Sequence, residues 1–254
     1  MDLVIEVLDS RVPLSTRHPR AESIFGNNPR LMIMTKEDLA DPDSMKDFRA
    51  RVEETTGYPC LALSLKRSGG RSDVIDAAIE ATRAKQESLA RKGLLPRPMR
   101  VCVAGMPNVG KSSLINWLIG RKKARTGNRP GVTVGTQWVR VHPKLELLDT
   151  PGILPPTTFT PEVETRLAIF NLLPEGRYDV VEMATRALVL LRERYPEYLE
   201  SYIEGLRDAE NGLEYIASSR NLITSGASPD ILRAAGMLLA DLRDGKVGRI
   251  SLDS

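Results

Sequence analysis

Short apolar runs alternate with helix-period stretches through the first 155 residues. The runs Leu3–Leu8, Leu31–Met34, Cys60–Leu63, Val101–Ala104, Thr136–Val141 and Leu145–Leu148 predict strands, and the first reads as a buried one. Helical patterns fall between them at Ser44–Thr55, Ser72–Arg91 and Lys111–Ile119. Strands alternating with helices predict an α/β fold built on a parallel-rich sheet. A stretch with two prolines and a glycine, residues 91–98, reads as a connector inside this region.

The pattern changes from Pro161 onward. Val181, Ala184, Leu188, Leu191 and Tyr195 recur at spacings of 3 and 4, one face of a helix that Pro196 ends. A second stripe, Leu232, Ala235, Leu239 and Leu242, follows Ser228 as the expected N-cap, with Pro229 at the first helical position and Asp230 suiting the dipole. Gly245 is placed as its stop. The expected organisation is an α/β domain over 1–155 followed by a small all-α domain over 156–254.

Composition narrows the class. The chain has 254 residues, 41% of them hydrophobic, and no run nears the ~20 apolar residues of a membrane span. No signal peptide opens it, so a soluble cytoplasmic protein with no membrane partner is expected. Cys60 and Cys102 each sit in an apolar run and read as structural thiols, and His18 and His142 lack ligand-spaced partners. The net charge of +3 conceals a segregation. No acidic residue occurs between Glu87 and Glu146, a stretch carrying twelve Lys or Arg, among them Arg121, Lys122, Lys123, Arg125 and Arg129. From Pro161 onward, sixteen Asp or Glu face eleven Lys or Arg. The basic block fits either RNA contact or a solvated face.

Several short motifs carry chemistry. Gly105-Met-Pro-Asn-Val-Gly-Lys-Ser112 matches G-x-x-x-x-G-K-S between a strand and a helix. Backbone N–H groups of Asn108, Val109, Gly110 and Ser113 would wrap phosphates at a helix N-terminus. Lys111 would reach the β- and γ-phosphates, and the Ser112 hydroxyl would bind Mg²⁺. Asp149-Thr-Pro-Gly152 follows the last strand: its carboxylate would hold Mg²⁺ through water, and Gly152 would offer its N–H to the γ-phosphate. Thr133, in the loop between these motifs, would complete the Mg²⁺ shell. Thr35-Lys36-Glu37-Asp38 follows the second strand. There the Asp38 carboxylate matches the N1–H and amine of guanine, which adenine cannot present. The Lys36 stem would pack over the base. Ser64-Leu65-Lys66 falls one strand-helix unit later, at the same end of the next strand.

These five elements are the signatures of a guanine-nucleotide switch in rotated order, with the base readers ahead of the phosphate loop. With Asp9-Ser-Arg-Val-Pro13, Pro130-Gly-Val-Thr133, Gly226-Ala-Ser-Pro-Asp230 and Gly245-Lys-Val-Gly-Arg249, the chain resembles the circularly permuted ribosome-biogenesis GTPases of the YlqF type. The resemblance covers nearly the whole chain. It implies a circularly permuted P-loop GTPase domain followed by a small all-α domain. It also implies GTP and GDP with Mg²⁺ as ligands, slow GTP hydrolysis by the protein alone, and action on the precursor of the large ribosomal subunit and its rRNA. A monomer is expected.

Three departures stand out. Thr35 occupies a position where the family usually has Asn. The chain starts inside a strand that a basic helix usually precedes; the family's proposed catalytic histidine belongs to that helix and is not carried over, so the catalytic group is unassigned. The C-terminal region, which the family is thought to use on rRNA, is acidic here. Ile153, where Ras-like proteins place a water-orienting Gln, cannot polarise water. Asn108 matches the asparagine by which some related GTPases coordinate K⁺, and equally fits a loop-stabilising role. Two rival readings remain open: an ATPase or kinase using the same loop, and an RNA-binding scaffold that holds nucleotide without regulated turnover.

Overall fold

The computed structural model describes residues 1–67, 69–120, 137–149, 158–174 and 176–253, with only the backbone of Gln137 and Asp149. Thr133, Gly152, Ile153 and the basic residues from 121 to 129 lie outside the described residues. Two compact units follow one another, Met1–Thr158 and Phe159–Ser254.

The first unit is a six-stranded sheet. Its strands are β1 (Leu3–Asp9), β2 (Arg30–Thr35), β3 (Cys60–Leu63), β4 (Met99–Ala104), β5 (Gln137–His142) and β6 (Leu145–Asp149). Their order across the sheet is β3-β2-β1-β4-β6-β5. All neighbours run parallel except the last pair, β5 and β6, which is antiparallel. Every residue of β1 is buried, which explains why it is apolar at every position but Glu6 and Asp9: a central parallel strand is covered on both faces. The chain pairs β1 with β2, then returns to place β4 on the other side of β1. That reversal opens a crevice at the carboxyl ends of β1 and β4, where α/β sheets bind ligands.

Helices complete this unit: α1 (Pro13–Thr16), α2 (Ala21–Phe25), α3 (Pro42–Thr56), α4 (Arg71–Ala81), α5 (Arg83–Arg91) and α6 (Lys111–Ile119). α3 starts on Asp41, whose carboxylate accepts from the Asp43 N–H, and stops at left-handed Gly57. Phe48 and Val52 of α3 pack on Leu8, Met32, Met34 and Cys60. Burying each large apolar side chain there contributes about 1.5–3 kcal/mol. The single helix expected over Ser72–Arg91 is two. Thr82 interrupts it, its hydroxyl donating to the Ile79 carbonyl at 2.8 Å. A β-branched residue bonding back to its own preceding turn competes with the helix ladder. Both cysteines are buried, and burial pushes the Cys60 thiol up to about 12.

The second unit holds α7 (Pro161–Ile169), α8 (Val180–Arg194), α9 (Pro196–Tyr202), α10 (Gly212–Ser219) and α11 (Ile231–Asp244). α8 buries Ala184, Leu188 and Leu191, as the periodicity predicts, with Met183 and Ala187 beside them. Asp179 caps it, accepting from Glu182 N at 2.7 Å. Two expectations for α11 fail. Asp230, not Ser228, is the N-cap, accepting from Arg233 N at 3.0 Å. Ser228 instead closes a turn, its carbonyl accepting from Thr224 N at 2.8 Å, so helical bonding begins after Pro229. Leu232 is also 64% exposed, because the buried stripe centres on Ala234, Ala235, Leu238, Leu239 and Leu242 and leaves it at the margin. Gly245 ends the helix in the left-handed region, as expected. No helix among the described residues is long and apolar enough to cross a membrane.

Candidate functional site

Strand register brings the candidate residues to one edge. Asp9, Thr35 and Leu63 end β1, β2 and β3 in a single row. Lys36 and Ser64 follow directly, as Gly105 follows β4, and Asp149 ends β6. Residues far apart in sequence, in rotated order, therefore meet at the carboxyl end of one sheet.

The loop from Gly105 to Gly110 depends on glycine at both ends. Gly105 has φ +155°, and a Cβ there would sit 2.5 Å from the Val7 carbonyl oxygen. Gly110 has φ +107° and faces the Thr35 side chain. It is the N-cap of α6, whose first residues are Lys111, Ser112 and Ser113. The N-terminal N–H groups of α6 therefore open toward the loop, the arrangement that binds anions. Val109 is fully buried and pins the loop, while Asn108 is exposed with φ +61°. The Lys111 ammonium curls over the loop and donates to the Met106 carbonyl at 2.6 Å. Burial alone pushes it down to about 8. A partly desolvated ammonium whose partner among the described residues is a carbonyl is suited to an incoming phosphate.

Thr35 explains how threonine serves here. Its hydroxyl donates to the Val109 carbonyl at 2.5 Å, with the Leu8 carbonyl 3.2 Å away. A short side chain on β2 thus ties the loop from Gly105 to Gly110 to the strand that leads into Lys36 and Asp38. Lys36 adopts a left-handed backbone, φ +61°. Its ammonium donates to Asp9 Oδ2 at 2.7 Å and to the Asn108 carbonyl at 3.1 Å. Asp38 lies in the turn after it, half-buried, with Lys66 Nζ 3.2 Å from its Oδ2. Burial alone would raise the Asp38 carboxyl, but hydrogen bonds from Ser64 and Lys66 outweigh it and hold it below the usual range. Ser64 is buried, and Leu65 is half-buried beside it. Asp38, Ser64 and Lys66 thus form one cluster, and Lys36 joins it to the phosphate loop. Ser112 is half-buried in the first turn of α6.

Sequence reasoning assigned no role to Asp9 or Arg11. Asp9 is fully buried, and Arg11 is 2% exposed and grips it through Nε and Nη2. Burial alone would raise the Asp9 carboxyl, but the charges of Arg11 and then Lys36 hold it well below the usual carboxylate range. The available signal was a carboxylate closing a mostly apolar strand, with an arginine two residues on.

Known proteins share this fold. A model of the 50S ribosome-binding GTPase family matches residues 100–207. The ribosome biogenesis GTPase A of Bacillus pumilus (strain SAFR-032) is 34% identical over 256 positions, covering 100% of this chain and 90% of the relative. That of Thermotoga maritima is 27% identical, covering 100% of this chain and 86% of the relative. The crystal structure of GNP-bound YlqF from T. maritima aligns with a TM-score of 0.69 at 25% identity, covering 99% of this chain and 92% of that one. With its rotated motifs reunited on one parallel-rich sheet, and with such relatives matching it from end to end, this chain belongs to the ribosome biogenesis GTPase A family and carries a circularly permuted GTPase domain.

Proposed function

We propose that this protein is a GTP-hydrolysing switch acting on the precursor of the large ribosomal subunit, slow by itself and accelerated by that particle. The observation that carries the reading is the Lys36 bond to the Asn108 carbonyl, which joins the base readers to the phosphate loop across 72 positions of sequence. The site residues fit a nucleoside triphosphate with Mg²⁺. Gly105 leaves room only for hydrogen beside Val7, and the half-buried Lys111 ammonium has a carbonyl as a partner.

In this reading, Lys111 and the N–H groups from Asn108 through Ser113 grip the phosphates. Asp38 selects guanine, flanked by Thr35, Lys36, Ser64, Leu65 and Lys66. Ser112, Thr133 and, through water, Asp149 hold Mg²⁺, which neutralises phosphate charge when bound. Gly152 senses the γ-phosphate, and GTP orders the segments around Thr133 and Gly152. Asp149–Ile153 leads by a short stretch of chain to α7, giving nucleotide state a covalent route to the helical unit. Since Ile153 cannot orient water, turnover alone is slow, and Asn108 could recruit K⁺ to supply positive charge.

The test measures GTP hydrolysis with and without large-subunit precursors, in K⁺ and in Na⁺ at equal ionic strength. It is paired with co-sedimentation in GTP analogue, GDP or no nucleotide. Stimulation by the particle, with binding that depends on nucleotide, is expected. Particle binding indifferent to nucleotide, with unchanged turnover, would make the protein a scaffold instead. Equal rates in the two salts would remove the ion.

A further inference from the structure

Asp9 and Arg11 are buried charges outside the set of residues expected to touch the nucleotide. The Asp9 carboxylate accepts from Arg11 Nε at 2.9 Å, Arg11 Nη2 at 2.7 Å, the Arg11 backbone N–H at 3.1 Å and Lys36 Nζ at 2.7 Å. On its other side, the Asp9 backbone N–H donates to Thr16 Oγ1 at 3.2 Å. Both side chains are essentially inaccessible, at 0% and 2%. Burying such a pair is a poor route to stability, because desolvation offsets most of the attraction. What it supplies instead is a fixed point. Lys36 needs one, since it holds a left-handed backbone that a residue with a side chain rarely adopts. From that backbone its ammonium bridges Asp9 to the phosphate-loop carbonyl of Asn108.

We propose that the Asp9–Arg11 pair is a positioning device for the nucleotide site. Arg11 locks the Asp9 carboxylate, Asp9 locks the Lys36 ammonium, and Lys36 locks the base-reading loop onto the phosphate loop. Grip on the base and grip on the phosphates are thereby set together. Neither Asp9 nor Arg11 touches the nucleotide; both act through Lys36. This inference rests on the guanine-nucleotide reading above.

The test is a double-mutant cycle on GDP affinity, using Asp9→Asn, Lys36→Ala and the double variant, each with its thermal midpoint measured without nucleotide. Wild type is titrated with GDP and ADP as a control. Asp9→Asn should weaken GDP about tenfold or more, the scale of losing a charged hydrogen bond. In the Lys36→Ala background the same change should cost almost nothing further, since its target is gone. A general packing role would leave the two losses independent, so multiplied penalties in the double variant would overturn the proposal. So would a folded Asp9→Asn that binds GDP as tightly as wild type. If Asp9→Asn does not fold, Arg11→Lys carries the test: it keeps the charge and loses the two-pronged grip. Weakened GDP binding that disappears in the Lys36→Ala background supports the device, and weakening that persists there, or none at all, sinks it. A wild-type protein that fails to prefer GDP over ADP would instead refute the guanine reading itself.

Discussion

In the proposed reading, base choice rests on a single carboxylate. Asp38 is held ionised by Ser64 and Lys66, so it would present two acceptors to the N1–H and amine of guanine. Asp38→Asn should lose roughly 2–4 kcal/mol of GTP affinity and gain affinity for xanthosine triphosphate, whose edge exchanges donor for acceptor. Competition titrations with the two triphosphates decide this, and unchanged GTP binding would remove Asp38 from the site. Lys111 makes a second prediction. Its pKa, pushed down to about 8, lies within reach of ordinary buffers. A bound triphosphate favours the ammonium, so binding is close to fully supported at pH 7 and below and weakens as pH rises through about 8. Between pH 7 and 8.5 the protonated fraction of the free protein falls about fourfold, and the triphosphate dissociation constant should rise by the same factor. An affinity flat across that range would show that Lys111 does not titrate there. These residues were legible because each belongs to a spaced motif. The Asp9–Arg11 pair had no assigned role because it works through a third residue, and its geometry depends on how β1 and β2 align.

At the level of elements, apolar runs located the strands to within two residues, because β1 and β2 are buried throughout and β4 nearly so. Caps and breaks were harder. Ser228 and Asp230 are both good N-caps, and the choice was made by the Thr224–Ser228 turn, a contact the local sequence does not advertise. The break at Thr82 depends on one hydroxyl bonding back to Ile79. The antiparallel edge formed by β5 and β6 follows from how two runs separated by two residues must turn. Gly105 ties strand, loop and helix into one element, and it offers a direct check. Gly105→Ala places a methyl group 2.5 Å from the Val7 carbonyl oxygen, on a backbone that cannot yield without shifting β1. Overpacking of this kind costs about 1–3 kcal/mol. The variant should show a lowered urea midpoint and lost triphosphate binding. A methyl group tolerated without change in either would mean that the loop is not held against β1 as described.

For the whole molecule, the separation of charge along the chain decides where RNA is expected. Residues 88–145 carry twelve basic side chains and no acidic one, whereas the chain from Pro161 onward has sixteen acidic against eleven basic. Within the described part of the basic stretch, Arg97 is paired with Asp2 and Arg140 with Glu146, which reduces what those two can offer a polyanion. The density of charge is greatest at Arg121, Lys122 and Lys123, with Arg125 and Arg129 leading on to Thr133. A cluster there would meet ribosomal RNA beside the segment expected to respond to the γ-phosphate, so RNA contact and switch state would share one loop. Replacing Arg121, Lys122 and Lys123 with neutral residues should therefore weaken binding to large-subunit precursors. It should also flatten the salt dependence, by about one unit of slope or less for each RNA phosphate that is no longer neutralised. Nucleotide affinity should stay close to wild type, because Lys111 is left intact. The measurement is co-sedimentation across a salt series for wild type and the triple variant, with GDP titrations on both. If the triple variant binds particles with the wild-type slope, while removal of the chain after Pro161 abolishes binding, the basic block is a solvated face. Particle recognition then belongs to the helical unit, through local basic positions such as Lys246 and Arg249 despite its acidic balance.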